Sequence, residues 1–187
     1  APPESAAPVG FALSDFDADG DLDALFPSRA DGRSHFYANE NGEFTSVAVL
    51  PGSPSATGAA VGDYDNDGDD DAYLLLVDGG ALLRNDGGWA FTDVTDAAAI
   101  APIGHAGVSA TWIDADHEGD LDLLVTHATG ILYYRNDGDG TFTEMAEAAG
   151  LAAPAMTPLI PAFGDFDMDL DVDVALSTSV FHVMAND

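Results

Sequence analysis

Four acidic segments recur along this chain, each with carboxylates at alternate positions. They begin 48, 51 and 51 residues apart, hold 21 of the 34 acidic residues, and span residues 15–23, 63–71, 114–122 and 165–173. The pattern D-x-D-x-D/E-G-D-x-D places side-chain oxygens at positions one, three, five and nine, and the main-chain carbonyl of position seven can add a ligand. Such a set suits calcium, which takes about six to eight oxygens, better than magnesium, which requires a stricter octahedron. The segments therefore predict calcium-binding loops.

A solvated acidic turn is the competing interpretation, since Asp and Gly both favour turns. Electrostatic repulsion argues against it. Two unit charges about 4 Å apart repel by roughly 1 kcal/mol even in bulk water, and every segment carries at least five carboxylates. Four such segments in register favour a bound dication in each of them.

Two of the segments depart from the pattern. Position six is glycine in the first three segments, where it permits a sharp turn that often needs a positive φ. These glycines are Gly20, Gly68 and Gly119, whereas Leu170 stands at this position in the fourth segment. Glu118 replaces Asp at position five of the third segment, so that a longer side chain must be accommodated. We therefore expect the fourth loop to bind calcium most weakly or not at all.

Composition excludes several classes of function. The 187 residues are 47% hydrophobic, which is ordinary for a globular protein, but the net charge is −30 and the basic residues are four arginines. Such a charge repels phosphate backbones and so argues against nucleic-acid binding. There is no cysteine, which excludes disulfides and thiolate metal sites. Because no apolar run is long enough to span a bilayer, membrane insertion is not expected.

The segments lie within a repeat of about 50 residues. Each is flanked by short apolar runs that end at Gly, Asn or Asp, which favours strands over helices. The repeat is predicted to read strand, acidic loop, strand, hairpin, strand, turn, strand, and four short antiparallel strands are typical of a β-propeller blade. We therefore predict an all-β protein, residues 1–187 forming a single array. Its blades are expected at about 9–50, 57–96, 107–147 and 159–187, the last incomplete, as a partial or open propeller.

The motifs resemble one known family of repeats. An EF-hand would need Glu at position twelve, where this chain has apolar residues. Residues 62–76 followed by an R-N-D-G turn at 84–87, and residues 119–125 followed by the same turn at 135–138, are instead similar to FG-GAP/VCBS repeats. These repeats build the propellers of integrin α-subunits and of many bacterial extracellular proteins. The resemblance implies one calcium ion in the loop between the first two strands of each blade, or three to four per chain.

The resemblance also implies a ligand set. By loop, the implied ligands are Asp15, Asp17, Asp19, Asp21 and Asp23; Asp63, Asp65, Asp67, Asp69 and Asp71; Asp114, Asp116, Glu118, Asp120 and Asp122; and Asp165, Asp167, Asp169, Asp171 and Asp173. The position-seven residue of each loop is expected to contribute its main-chain carbonyl.

The function expected from these features is that of a calcium-dependent module, extracellular or on the cell surface, for protein–protein interaction, adhesion or assembly. No catalytic activity is expected, because the sequence carries no H-E-x-x-H, no nucleophile elbow and no P-loop. One alternative is a lectin-like propeller that binds glycans between blades. Others are a subunit of a fibre or multi-chain assembly and the accessory propeller of an enzyme.

Two further expectations concern packing. The aromatic residues Trp89, Trp112, Tyr133 and Tyr134 could stack on a sugar, but packing between blades is the preferred interpretation. The fourth unit ends before its outer strand, which would leave an apolar edge at residues 180–184. We expect that edge to be covered by another chain or by further sequence, and the four units to form an open arc.

Overall fold

The computed structural model describes residues 10–27, 33–49, 56–101, 104, 106–127, 129–151, 161–166, 168, 172–177 and 181–184. The described strands form four separate antiparallel sheets, each a simple meander. No helix of the described residues is long and apolar enough to cross a membrane.

The first three sheets have four strands each. The first contains β1 (Ala12–Ser14), β2 (Asp23–Phe26), β3 (His35–Glu40) and β4 (Glu43–Val49). The second contains β5 (Ala56–Gly62), β6 (Asp71–Leu76), β7 (Gly80–Asn85) and β8 (Phe91–Asp93). The third contains β9 (Gly107–Ile113), β10 (Asp122–His127), β11 (Gly130–Asn136) and β12 (Phe142–Glu144). In the fourth, the described residues form β13 (Ala162–Gly164), β14 (Asp173–Ser177) and β15 (Phe181–Met184).

In each sheet the acidic segment joins the first strand to the second, so that the first strand ends directly before position one and the second begins at position nine. A two-residue hairpin joins β3 to β4. The turn between β3 and β4 places Asn41 and Gly42 at φ values of 56° and 93°, the conformation that favours Asn-Gly in two-residue hairpins.

The core lies between the sheets. The six residues of β6 are buried throughout, because Leu74 and Leu76 pack towards the first sheet while Tyr73 and Leu75 pack towards the third. This explains why the second strands of the middle blades read as continuous apolar runs instead of alternating patterns.

The first strands of successive sheets lie beside one another, since β1 contacts β5 and β5 contacts β9. A Cβ atom placed on Gly10 would lie only 3.8 Å from the Cα of Gly58. Sheets stacked face to face with their first strands adjacent are the arrangement of propeller blades. The prediction of an all-β partial propeller is therefore confirmed.

Candidate metal centre

The first acidic loop is wrapped around its own carboxylates. Asp15 accepts hydrogen bonds from the main-chain N–H groups of Asp19 and Gly20, both at 2.9 Å. The N–H of Asp21 donates to Asp19 Oδ1 at 2.9 Å. These bonds curl the main chain of the loop around the Asp15 carboxylate.

The second and third loops repeat this geometry. Asp63 accepts from the N–H groups of Asp67 and Gly68 at 3.1 and 2.9 Å, and Asp114 accepts from Gly119 at 3.2 Å. The position-six glycines Gly20, Gly68 and Gly119 have φ values of 97°, 97° and 93°, as the sequence predicted. The loops therefore share one backbone conformation.

Position four also adopts a positive φ, which the sequence analysis did not foresee. Its φ is 58° at Ala18, 57° at Asn66, 58° at His117 and 67° at Met168. Non-glycine residues rarely occupy this left-handed region. Because four different side chains do so at the same position, the acidic loop imposes the conformation and the identity of the residue does not. Asn66 and His117 are of types that enter this region more often than others, but Ala18 and Met168 are not, so the residue types at position four do not together indicate it.

The aspartate at position nine is buried in every blade and connects two parts of its sheet. Its two oxygens accept main-chain hydrogen bonds from position two of the loop and, in the first three blades, from an asparagine at the end of the third strand. For Asp71 the donors are Tyr64 at 3.1 Å and Asn85 at 2.8 Å. The corresponding donors are Phe16 and Asn39 for Asp23, Ala115 and Asn136 for Asp122, and Phe166 for Asp173.

Burial dominates the ionisation of these aspartates. It raises the pKa of Asp71 to about 7, although its two main-chain hydrogen bonds act in the opposite direction. The pKa values of Asp23 and Asp122 are raised for the same reason. Burial, followed by the charges of Asp67 and Asp63, also raises the pKa of Asp65. Without a metal ion, the folded protein therefore favours the neutral form of these four carboxyl groups more than water does.

In the first two loops, carboxylate oxygens converge as a cation site requires. One oxygen from each of Asp15, Asp17 and Asp19 lies within 4.8 Å of the others, and the same holds for Asp63, Asp65 and Asp71. In addition, the Oδ1 atoms of Asp17, Asp65 and Asp114 are buried without a hydrogen-bond partner. A buried oxygen without a donor is costly, and a cation would satisfy it. The residues present therefore fit calcium.

Not every implied ligand sits equally close to that centre. Glu118, at position five of the third loop, is exposed. At position seven the side chains turn outward: Asp21 accepts from the N–H of Asn41 at 2.9 Å, and Asp120 accepts from the side chain of Asn66 at 2.7 Å. This arrangement leaves the main-chain carbonyl as the expected ligand at position seven.

In the fourth loop, Asp165 and Asp173 are described. Asp167, Asp169, Asp171 and Leu170 lie outside the described residues. The prediction of a weaker fourth site therefore stays a prediction.

A side-chain link between neighbouring blades lies next to each of the first two loops. The Asn85 side chain donates to the carbonyls of Phe16, in the previous blade, at 2.9 Å and of Asp70 at 3.2 Å. Asn136 donates to the carbonyls of Tyr64, also in the previous blade, at 2.7 Å and of Leu121 at 3.2 Å. The two carbonyls of the previous blade, those of Phe16 and Tyr64, belong to position two of a loop.

The sequence analysis missed these asparagines, although their recurrence in the R-N-D-G turn was the available signal. The arginines of the same turns form local ion pairs, from Arg84 to Asp86 at 2.7 Å and from Arg135 to Asp137 at 2.9 Å. The pKa of Asp86 is lowered by a hydrogen bond from Thr92 and then by Arg84. The pKa of Asp137 is lowered by Arg135 and then by a hydrogen bond from Thr143.

The aromatic side chains pack between blades, as predicted. Trp112 stacks on Tyr64 of the previous blade with ring centroids 6.1 Å apart and an interplanar angle of 12°. The ring centroid of Trp89 lies 6.3 Å from that of Phe16, which is also in the previous blade. Tyr133 packs against the core that the third and fourth blades share, and the buried Tyr134 donates its hydroxyl to the carbonyl of Ala101 at 3.2 Å.

Comparisons with known proteins agree with this architecture. The fold is similar to that of a lectin from Agrocybe aegerita, described as recognising non-reducing terminal N-acetylglucosamine, with 18% identity and a TM-score of 0.57 over 94% of this chain and 51% of the lectin. A chain of the Tc holotoxin pore of Photorhabdus luminescens aligns at 18% identity and a TM-score of 0.47, over 94% of this chain and 8% of that one. This chain thus spans about half the length of the lectin.

No curated protein matches this chain. The sequence profile of the FG-GAP-like repeat matches residues 15–74 and 119–176, which is more than half of the sequence. These segments contain the first, second and fourth acidic loops completely, and the last four residues of the third. The chain belongs to the FG-GAP-like repeat family.

Proposed function

We propose that this chain is a calcium-binding propeller-type module that acts outside the cell or on its surface in protein–protein interaction, adhesion or assembly. The observation that carries the calcium proposal is the set of buried, unpartnered oxygens of Asp17, Asp65 and Asp114, one in each of the first three loops. In the second loop, Asp65 converges with Asp63 and Asp71, and burial raises the pKa values of both Asp65 and Asp71. A dication bound there would favour the ionised form of these groups and satisfy the unpartnered oxygens.

Calorimetric titration of the calcium-free protein tests the metal proposal. We expect three to four ions per chain, and one fewer for Asp65→Asn, which replaces an unpartnered ligand oxygen. Asp78→Asn is a matched control, since Asp78 is an exposed aspartate in a turn outside the loops. The absence of calcium binding at millimolar concentration, or equal stoichiometry in all three proteins, would contradict the proposal.

The proposed location follows from the same chemistry. All-oxygen loops of extracellular modules bind calcium with dissociation constants of about 10⁻⁴–10⁻³ M, so that millimolar calcium fills about half or more of such sites. Labelling of intact producing cells with a membrane-impermeant reagent, followed by capture of this protein, tests the location. Labelling only after lysis would exclude it.

A second candidate function is glycan binding in the cleft between the second and third blades. A cavity of about 500 Å³ opens there, and its lining is largely polar, with Arg84, Asp65, Asp120, Asp139 and Thr141 among its residues. Hydroxyl groups of a sugar could bond to such a lining. The fold likeness to a lectin described as recognising terminal N-acetylglucosamine gives the first probe.

Binding to immobilised glycans that end in N-acetylglucosamine, compared with the same glycans ending in galactose, tests this candidate. Asp139→Asn should weaken binding if the cleft is the site, because Asp139 is an exposed carboxylate on its rim. Binding that is unchanged in this variant would place the glycan elsewhere. The proposal assigns no catalytic role to the chain.

A further inference from the structure

Each of the second and third blades receives the previous blade on a face made of four corresponding positions. We call this the receiving face. It consists of Val61, Asp70, Asn85 and Phe91 in the second blade, and of Trp112, Leu121, Asn136 and Phe142 in the third.

The group that binds to a receiving face is position two of the previous blade's acidic loop. Phe16 is fully buried, its ring lies 6.0 Å from that of Phe91, and its carbonyl accepts from Asn85 at 2.9 Å. Tyr64 is buried likewise, 5.6 Å from the ring of Phe142, and its carbonyl accepts from Asn136 at 2.7 Å. An aromatic ring and a carbonyl are therefore bound together at both junctions.

The residue before each of the first two loops also fits the receiving face of the next blade. The Ser14 hydroxyl donates to Asp70 of the second blade. Gly62 leaves room for the third blade, since a Cβ atom there would lie 2.9 Å from Leu121 and 3.1 Å from Trp112. The receiving face is thus a recurring interface with defined parts.

In the first blade the corresponding face is exposed. Leu13, Leu22 and Phe44 are 48%, 57% and 52% exposed. The side chain of Asn39 donates to the carbonyl of Leu22 at 2.9 Å, which reproduces the bonds from Asn85 to Asp70 and from Asn136 to Leu121. Among the described residues, however, Asn39 makes no bond to a loop of another blade.

The group that such a face binds is also exposed, at the other end of the described chain. Phe166 occupies position two of the fourth loop and is 48% exposed. Its N–H donates to Asp173 at 2.7 Å, as the N–H groups of Phe16 and Tyr64 donate to Asp23 and Asp71 at 2.9 and 3.1 Å. The aspartate at position nine therefore holds the main chain of Phe166 in the same way as it holds position two in the first two loops.

We propose that the receiving face of the first blade binds the fourth blade of a second copy of this chain, with Phe166 of that copy packed against Leu22 and Phe44 and its carbonyl bound by Asn39. This contact would continue the first two junctions between blades, which use the same positions and the same bonds, from Asn85 to Phe16 and from Asn136 to Tyr64. The contact joins two different surfaces, so it is head-to-tail and either closes a ring or continues as a filament. Calcium is expected to support it, because bound dications reduce repulsion between two strongly acidic chains.

Light scattering after size-exclusion chromatography, in millimolar calcium and over a range of protein concentrations, tests the contact. We expect the wild-type mass to rise to two or more chains. Leu22→Glu, which alters the receiving face, and Phe166→Glu, which alters the inserted group, should each remain at the mass of one chain. Val77→Glu is the control, because Val77 is similarly exposed but lies in the turn between β6 and β7, and it should associate like the wild type.

Mixing the two association-deficient variants gives the sharper result. The Leu22→Glu protein keeps Phe166, and the Phe166→Glu protein keeps an intact receiving face, so the mixture should form a complex of two chains that cannot grow further. Calcium stoichiometry and melting temperature of each variant, measured separately, verify that it is folded. A wild type that is monomeric at every concentration, association that persists in either variant, or a mixture of folded variants that stays monomeric would overturn the proposal.

Discussion

At the scale of single residues, the asparagines of the R-N-D-G turns join two blades through one side chain. Asn85 is fully buried, accepts from the N–H of Gly87 at 3.1 Å, and donates to two carbonyls. Asn39 occupies the same position in the first blade but bonds only within its own blade among the described residues. A comparison of substitutions at Asn85 and Asn39 therefore separates the stability contributed by the link between blades from that contributed by the turn.

We expect Asn85→Ala to lower the free energy of unfolding by about 1–3 kcal/mol more than Asn39→Ala, because it leaves the buried carbonyl of Phe16 without a donor. Urea denaturation in calcium measures both losses. Equal losses in the two variants would show that the link to Phe16 contributes nothing beyond the turn.

The pH dependence of stability should report the buried aspartates. In the calcium-free protein the pKa of Asp71 is about 7, against about 3.9 in an unfolded chain. Between these values the folded state binds more protons than the unfolded state, so the free energy of unfolding should fall as pH rises from about 4 to 7.

Chemical denaturation of calcium-free protein across this range measures the slope. Asp71→Asn should flatten it, because the residue no longer titrates. Saturating calcium should also flatten it, because the bound ion stabilises the ionised carboxylate. A slope of the opposite sign in wild-type protein without calcium would contradict the predicted pKa shift.

At the scale of the structural element, the acidic loop requires two positive φ values, at positions four and six. In the first loop these are Ala18 at 58° and Gly20 at 97°. A Cβ atom on Gly20 would meet nothing within 4 Å, so that a substitution there changes the backbone conformation and not the packing.

Gly20→Ala should therefore weaken calcium binding at the first loop or destabilise it by about 1–2 kcal/mol, the usual cost of a left-handed conformation for an L-residue. Ala18→Gly should have no such effect and can be slightly favourable, since it removes a Cβ atom from a left-handed position. Calcium titration of both variants distinguishes them. A neutral Gly20→Ala would show that the loop tolerates another conformation.

The fourth loop gives the converse experiment. Leu170 stands at position six, so we expect the weakest calcium affinity there and an increase in that affinity for Leu170→Gly. Titration followed by amide NMR assigns each binding event to its loop. Four equally strong sites in the wild type would show that the glycine is not required.

At the scale of the whole molecule, calcium is expected to act as a source of stability. The net charge of −30 opposes compaction, and the loops lie beside the junctions between blades. We therefore expect an ion bound in one loop also to fix the position-two residue that the next blade receives.

Removal of calcium should lower the melting temperature of the whole chain. At free calcium about 100-fold above the dissociation constant, each independent site adds roughly 2.7 kcal/mol to stability. Calorimetric scans with and without chelator measure the change, and magnesium at the same concentration is the control for ionic strength. An unchanged melting temperature with the fold intact would argue against metal binding.

The spacing of acidic residues and turn residues determined the repeat, the strand order within each blade and the position of the loops. These features depend on contacts close in sequence: the loop is closed by hydrogen bonds between residues such as Asp15 and Gly20, and each sheet is a meander of consecutive strands. Local interactions of this kind can be read from local patterns. The candidate ligands were inferred from the same local pattern and stay a prediction.

Only the tertiary structure decided how one blade meets the next. The bond from Asn85 to Phe16 joins residues 69 positions apart, and whether an aromatic residue at position two is buried depends on the presence of a neighbouring blade. Phe16 and Phe166 occupy the same position of their loops, yet the first is fully buried and the second is half exposed. The physical reason is that these side chains are buried by contact between two stacked sheets. The sequence pattern within one repeat therefore cannot specify their burial.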